Sequence, residues 1–186
     1  MKDYTKLPKT EMRRSDRAVE DEGWIRHFLH RAAVGILATA QDGQPFLNSN
    51  LFVYDEAAHV IYMHTARVGR TPALLAVEAK VCFTIFEMGR LLPADEALEF
   101  SVEYSGVTVF GTAVTIQEPT EAKHGLQLLL DKYAPHLKPD VDYRGIVPEE
   151  LKRTAVFRIN ISEWGGKKKE VASDFPGAFT YTPAIG

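Results

Sequence analysis

The chain has 186 residues, 45% of them apolar, and a formal net charge of −3. That length makes one domain with a sizeable core, and that charge argues against a general nucleic-acid binder. The one cysteine, Cys82, can form neither an internal disulfide nor a cysteine-rich metal site, and its place in the apolar run 81–86 makes it a small buried hydrophobe.

In chain order, the polar first twenty residues read as an extended arm, tied onto the body or onto a partner subunit. No leader-like apolar stretch opens the chain and no segment is long enough to span a bilayer, so a cytoplasmic protein without membrane contact is expected. Asp21 can cap a helix running to about Arg31, with Trp24, Ile25, Phe28 and Leu29 on one face. Residues 34–40 (VGILATA) form a strand whose continuous apolar character predicts burial on both sides. Gln41-Asp42-Gly43-Gln44 is a hairpin turn, Pro45 to Tyr54 the return strand, and 59–64 a third strand. A helix from Thr71 to about Ala79 precedes a strand over 80–87, and 88–97 is a loop. Two alternating strands, 98–104 and 106–118, contain Gly106 and Gly111 as candidate bends or bulges. Pro119 opens an amphipathic helix through about Tyr133. A Pro-rich connector, a helical turn near Glu149 to Arg153 and a last strand over 154–162 complete the order. Consecutive hairpin strands with free edges tend to close. The expected fold is therefore mainly β (α+β), a six- to seven-stranded antiparallel β-barrel with short flanking helices. The domain plan is an arm (1–20), the barrel (21–165) and a tail (166–186) packed on the barrel or a partner.

Residues 59–72 (HVIYMHTARVGRTP) are the most informative stretch. A short strand runs into a turn with a histidine, two arginines and a glycine, and a helix starts at Thr71-Pro72, an N-cap followed by a favoured first helical residue. A helix start offers free N–H groups to an anion, Arg67 and Arg70 add forked donors, and Gly69 permits close backbone approach. The combination reads as a phosphate seat, although paired arginines in a turn are also ordinary solvated surface. Neither GxxxxGK[ST] nor GxGxxG occurs, so it is not a nucleotide P-loop.

These residues resemble the flavin-binding split-barrel superfamily, the pyridoxamine 5′-phosphate oxidase-like proteins, and within it most closely the nitroimidazole resistance (Nim) proteins. The likeness is carried by RRSDR (13–17), GILATAQDGQPFLNSNLFVYD (35–55), YMHTARVGR (62–70), LEFSVEYSGVTVFGTA (98–113) and LKRTAVFRINISEWGGKKKE (151–170). The resemblance implies a split barrel and a homodimer with FMN at the subunit interface. It places the phosphate at His64, Thr65, Arg67, Gly69 and Arg70, and the ring edge along Asn48, Ser49, Asn50 and Leu51. Trp164 and Lys167 follow the last strand where such proteins place groups near the flavin. The serine-arginine-lysine phosphate cluster of the oxidases is absent, as is their C-terminal substrate motif, which argues against pyridoxamine phosphate oxidation.

The implied activity is reduction of a small planar nitroaromatic such as a 5-nitroimidazole, with NAD(P)H as a possible electron donor and His64 placed to supply a proton. His64 could instead be a hydrogen-bonded structural histidine, or an axial ligand in a haem-binding relative. A flavin-binding protein without turnover is a third reading. His27 and His30 share a helix face, but no carboxylate motif completes a metal site, so a solvated face is expected there. Tyr62 and Phe52 read as core, and Glu99 and Glu103 as surface or dimer contacts on one strand face.

Overall fold

In the computed structural model the described residues are 3–76 and 79–183. The strands are β1 (Ala18–Val19), β2 (Gly35–Gln41), β3 (Gln44–Asn50), β4 (Phe52–Asp55), β5 (Val60–Ala66), β6 (Ala79–Leu92), β7 (Ser101–Thr115) and β8 (Thr154–Lys169). The helices are α1 (Glu22–Arg31), α2 (Arg70–Leu74), α3 (Pro119–Tyr133) and α4 (Pro148–Leu151), with 3-10 turns at Tyr4–Lys6, Ser15–Arg17 and Ala97–Glu99. All paired strands are antiparallel, in the order β3-β2-β6-β7-β8-β5-β4, with β1 added to β8. β3 and β4 lie at opposite ends of this path yet adjoin in the chain, so the sheet curls round until its ends meet through Leu51. The architecture is the expected split barrel.

Local chemistry sets several boundaries. Asp21 Oδ1 accepts the backbone N–H groups of Gly23 (2.8 Å) and Trp24 (3.2 Å), capping α1 as expected. The β2–β3 turn is carried by Asp42 (φ 51°) and Gly43 (φ 79°), the positive pair a tight two-residue hairpin requires. α3 starts at Pro119, with the Glu118 carboxylate accepting Glu121 N–H at 2.7 Å.

Two cores result. The barrel interior holds Leu37, Phe52, Ile61, Met63, Phe83, Ile85, Val109 and Phe157, with Ile25, Phe28 and Leu29 of α1 packed among them. A second cluster joins α3 (Ala122, Leu129) to Val53, Val60, Tyr62 and Val156 on the other face. Phe52 and Tyr62 are therefore core residues, as expected.

Several expected elements are redrawn. β2 alternates between buried and half-buried residues instead of being buried on both faces. The single return strand from Pro45 is two strands, broken at Leu51. Asn50 turns its side chain there, donating to the His64 carbonyl (2.7 Å) and accepting Leu51 N–H (2.9 Å). The Tyr133 hydroxyl accepts Phe52 N–H at 3.1 Å. The 88–97 loop is shorter, because β6 continues to Leu92. The two strands expected over 98–118 are one, β7, because both its edges are paired, to β6 and to β8. Glu99 lies in a 3-10 turn before β7, so it shares no strand face with Glu103. Gly111 sits at a register shift, whereas Gly106 pairs regularly. The last strand extends to Lys169, held by Tyr104↔Lys169 through Phe110↔Glu163. The helix expected from Thr71 to Ala79 spans Arg70–Leu74, and its expected positions 77 and 78 lie outside the described residues. Cys82 is only half-buried, and burial raises its thiol pKa.

The tail is latched to the β6–β7 hairpin. Arg90 forms a fork on Glu103 (Nε–Oε2 and Nη2–Oε1, both 2.8 Å) and donates to the Ser173 carbonyl at 2.8 Å. Glu103 also accepts Val171 N–H at 2.9 Å, and Leu91 and Phe179 exchange backbone hydrogen bonds. The Arg90 hydrogen bond, followed by that from Val171, holds the Glu103 carboxyl down to about 2. Its folded-state pKa lies below the ordinary carboxylate value of 4.5, so the latch is fully present above pH 4.5 and is lost as pH falls towards about 2. Glu103→Gln is expected to free the tail at neutral pH, read as several-fold faster limited chymotrypsin cleavage after Phe175 or Phe179.

Candidate functional site at the barrel mouth

At the end of β5 the chain turns through Arg67, Val68 and Gly69 into α2. Gly69 has φ 145°, a backbone state that side chains disfavour, and this turn makes it the residue capping α2. The expected cap, Thr71, is instead the second helical residue and Pro72 the third. A proline is still tolerated there because the first-turn N–H groups have no partner within the helix. Freed from capping, the Thr71 hydroxyl accepts from Asn48 Nδ2 at 3.2 Å. That bond docks α2 on β3.

Arg70 lies on the same side, its guanidinium 4.3 Å from the Phe46 ring centroid. Asn48, Arg70 and Thr71, with Leu37, Thr39, Phe46, Leu47 and Leu74, line a cavity of ≈ 130 Å³. This is the scale of a phosphate group rather than a whole heterocyclic ligand, for which pockets run from about 300 Å³. Arg67 points elsewhere: its Nε donates to the Leu151 carbonyl at the end of α4 (3.0 Å), and Nη2 reaches the same oxygen.

His64, near the end of β5, is half-buried, with Asn50 of β3 bonded to its carbonyl. Its Nδ1 is buried and has no hydrogen-bond partner. Burial lowers the pKa of the ring, so at neutral pH the imidazole is neutral. The Thr65 hydroxyl is turned back onto the Ala66 carbonyl at 2.9 Å.

The structure thus brings together Asn48, Asn50, His64, Gly69 and Arg70 from the expected site residues. Ser49 pairs with Ile36 on the outward face, and Leu51 is an exposed link between strands. Trp164 and Lys167 lie away from the seat. Trp164 packs edge-on to His59 (centroids 4.6 Å) and near Tyr54 (6.0 Å) at the β4–β5 turn. His59 precedes β5 and His64 lies five residues on, about 16 Å along an extended strand. Lys167 has its Nζ 5.6 Å from the Tyr104 ring. The sequence reading missed Thr71 as a side-chain partner of the site and Phe46 as the platform under Arg70. Both depend on β3 meeting α2, which no local pattern records.

At the Trp164 end a larger cavity of ≈ 710 Å³ includes Glu22, Arg26, Tyr54, Glu56, His59 and Glu163 in its lining. Its charges are paired among themselves and with neighbours: Arg26 with Glu22 at 2.8 Å and with Glu56 at 3.8 Å, Lys9 with Glu163 at 2.7 Å, and the His30 ring is hydrogen-bonded to Glu56 at 3.0 Å. His30 is thus hydrogen-bonded to Glu56 rather than half of a metal pair with His27. Among the described residues no group of three His, Cys, Asp or Glu could hold a metal ion. No described helix is long and apolar enough to cross a membrane.

A curled antiparallel sheet whose end strands adjoin in the chain, with a few short helices packed against it, defines a split-barrel fold. Residues 21–168 match the family model described as pyridoxamine 5′-phosphate oxidase, and the chain belongs to that family. The fold is shared with the flavocytochrome Anf3 of Azotobacter vinelandii (TM-score 0.77, 21% identity, 95% of this chain and 86% of that one). It is shared too with the FAD and heme binding protein of Mycobacterium smegmatis (0.75, 20%, 83% and 74%). A candidate 5-nitroimidazole antibiotic resistance protein of Bacteroides thetaiotaomicron is also similar (0.65, 17%, 82% and 90%). Among curated proteins the sequence matches none.

Proposed function

We propose that the chain is a flavin-dependent oxidoreductase that binds FMN at the barrel mouth, in a site completed by a second copy of the chain, and reduces small planar nitroaromatic compounds. The observation that carries this reading is the Asn48–Thr71–Arg70 seat, with the buried, unpartnered Nδ1 of His64 on the strand that Asn50 ties to β3. An orphaned buried nitrogen is costly unless a ligand meets it. Arg70 and the first turn of α2 would hold the phosphate, with Thr65, Arg67 and Gly69 forming the turn around it. β3 is an edge strand, so the outward-pointing backbone groups along Asn48, Ser49 and Asn50, leading to Leu51, would meet the ring's polar edge. Bound FMN would supply reversible two-electron chemistry, drawing on NAD(P)H or another donor. His64, neutral at pH 7, would move a proton at Nδ1 to or from the ligand.

The need for a partner follows from size and placement. The ≈ 130 Å³ cavity holds a phosphate and little more. Trp164 and Lys167, remote from the seat in one protomer, can wall the ring only from another. Resemblance to flavin-binding and nitroimidazole-resistance proteins of the same fold supports the cofactor and substrate classes. A cytoplasmic, homodimeric enzyme is part of the same reading.

The same His64 nitrogen would suit haem iron, which gives the second reading. Titrating the purified protein with FMN and then with haemin separates the two. FMN uptake is expected, with affinity reduced about tenfold or more by Arg70→Gln, the worth of one charged hydrogen bond. Riboflavin, lacking the phosphate, should not feel that change. Absence of flavin uptake, with a Soret band lost in His64→Ala, would move the chain to the haem-binding class.

A further inference from the structure

The two basic motifs of this acidic chain, RRSDR at 13–17 and the lysines at 167–169, are 150 residues apart but meet in the fold. β1 pairs with the end of β8, setting Ala18 opposite Lys167 and Val19 opposite Gly166. Arg17 and Lys167 therefore reach the same side chain, Tyr104 of β7. Arg17 Nη1 donates to the Tyr104 hydroxyl at 3.3 Å, and Lys167 Nζ stands 5.6 Å from its ring centroid. Arg17 has one carboxylate at the limit of ion-pair distance. Asp16 is 4.0 Å from Arg17 Nε and is committed to Arg14, at 2.6 and 2.7 Å. Lys167 has no ion-pair partner among the described residues, and the Arg17 side chain is only 21% exposed. Two partly desolvated cations converging on a neutral phenol leave positive charge unbalanced.

An apolar platform adjoins it. Phe86 is 62% exposed and stacks near Tyr104, with centroids 6.3 Å apart and planes inclined by 27°. Phe86, Gly106 and Lys167 are cross-strand neighbours, so the floor between ring and amine is bare backbone. A Cβ on Gly106 would lie 3.7 Å from the Phe86 ring, so the glycine keeps that floor open. Burial opposes ionisation of Tyr104, but the Arg17 hydrogen bond and the Lys167 charge prevail and lower its pKa, which reports the same excess of positive potential.

We propose that Arg17, Lys167 and Tyr104, with the exposed ring of Phe86, form a second ligand site that takes a nucleoside phosphate: the phosphate between the two cations and the base on Phe86. Arg offers a fork to phosphate oxygens and an exposed aromatic face stacks on a heterocycle. The adenylate half of either a nicotinamide donor or a flavin dinucleotide has this chemistry. The site is built from residues other than those of the mouth seat; Lys167 alone is shared with the flavin reading.

The probe is AMP, followed by calorimetry on the purified protein. Saturable binding is expected, weakened about tenfold or more by Arg17→Gln and by Lys167→Gln, the worth of a charged hydrogen bond. Adenosine should bind correspondingly worse than AMP. Phe86→Ala, at an exposed position that leaves the fold intact, should weaken AMP while leaving inorganic phosphate competition unchanged. Arg70→Gln should leave AMP binding as it is, which separates failure here from failure of the mouth seat. If Arg17→Gln weakens FAD but not FMN, the source is the flavin dinucleotide; if it weakens NADPH alone, the source is the donor. No AMP binding, or binding indifferent to both Arg17→Gln and Lys167→Gln, overturns the proposal.

Discussion

Gly111→Ala is expected to destabilise the protein by about 3 kcal/mol, at the upper end of overpacking costs. A Cβ at this position would lie 2.0 Å from the Asn160 carbonyl oxygen and 3.4 Å from Ile161 Cα. Both obstacles are backbone, so no rotamer change relieves them. The crowding comes from the bulge in β8: Phe110 faces Glu163 and Gly111 faces Ile161, leaving Ser162 as the extra residue. The Ser162 hydroxyl donates to the Phe110 carbonyl at 3.0 Å and fixes the distortion. The bulge lets β8 pair with β5 before it and with β1 after it while keeping β7 along its other edge, so removing its glycine disturbs closure itself. Thermal unfolding checks the effect. For a chain of this size that loss corresponds to a fall in Tm of roughly 6–12 °C. A fall below about 2 °C would mean that the bulge can re-form elsewhere along β8.

The parts of the fold that were legible in the sequence were those fixed by neighbours in the chain. Asp21 before an amphipathic run, Asp42-Gly43 between two strands and Pro119 opening α3 carry their own structural chemistry, and each marks its boundary in the structure. The break at Leu51 was not legible, because the group that satisfies Phe52 N–H is the hydroxyl of Tyr133, 81 residues away. The length of β8 was hidden for a different reason. Trp-Gly-Gly-Lys-Lys-Lys has poor strand propensity, and only pairing with β7 on one side and β1 on the other makes it extended.

The site divides along the same line. The turn carrying His64, Gly69 and Arg70 was legible because strand, glycine and helix are contiguous. The contact of Thr71 with Asn48 was not, since a threonine before a proline reads as a cap until β3 supplies a donor for its hydroxyl. Arg67 is the instructive exception: the residue type suits an anion, yet two of its nitrogens are already used on the Leu151 carbonyl. That bond ties the turn to α4, so Arg67 contributes first by holding the seat's shape.

The hairpin that carries Asn48 is positioned by a second close approach, and Gly35→Ala tests it. A Cβ on Gly35 would stand 2.0 Å from Cζ and 2.4 Å from Cε2 of Phe83. Phe83 is fully buried and meets Phe52 edge-on with ring centroids 4.9 Å apart, so its ring cannot swing into free space. Either the ring shifts against Phe52 or β2 moves away from β6. The expected loss is about 2–3 kcal/mol. Movement of β2 carries β3 with it through seven paired positions, and Asn48 and Phe46 are displaced from Thr71 and Arg70. FMN affinity should therefore fall together with stability, although Gly35 lies outside the proposed seat. Phe83→Leu in the same chain removes the clashing ring atoms and should restore part of both losses, a coupling that independent sites would not show. If Gly35→Ala lowers stability but leaves FMN affinity at the wild-type value, the hairpin does not set the geometry of the seat, and α2 alone must hold the phosphate.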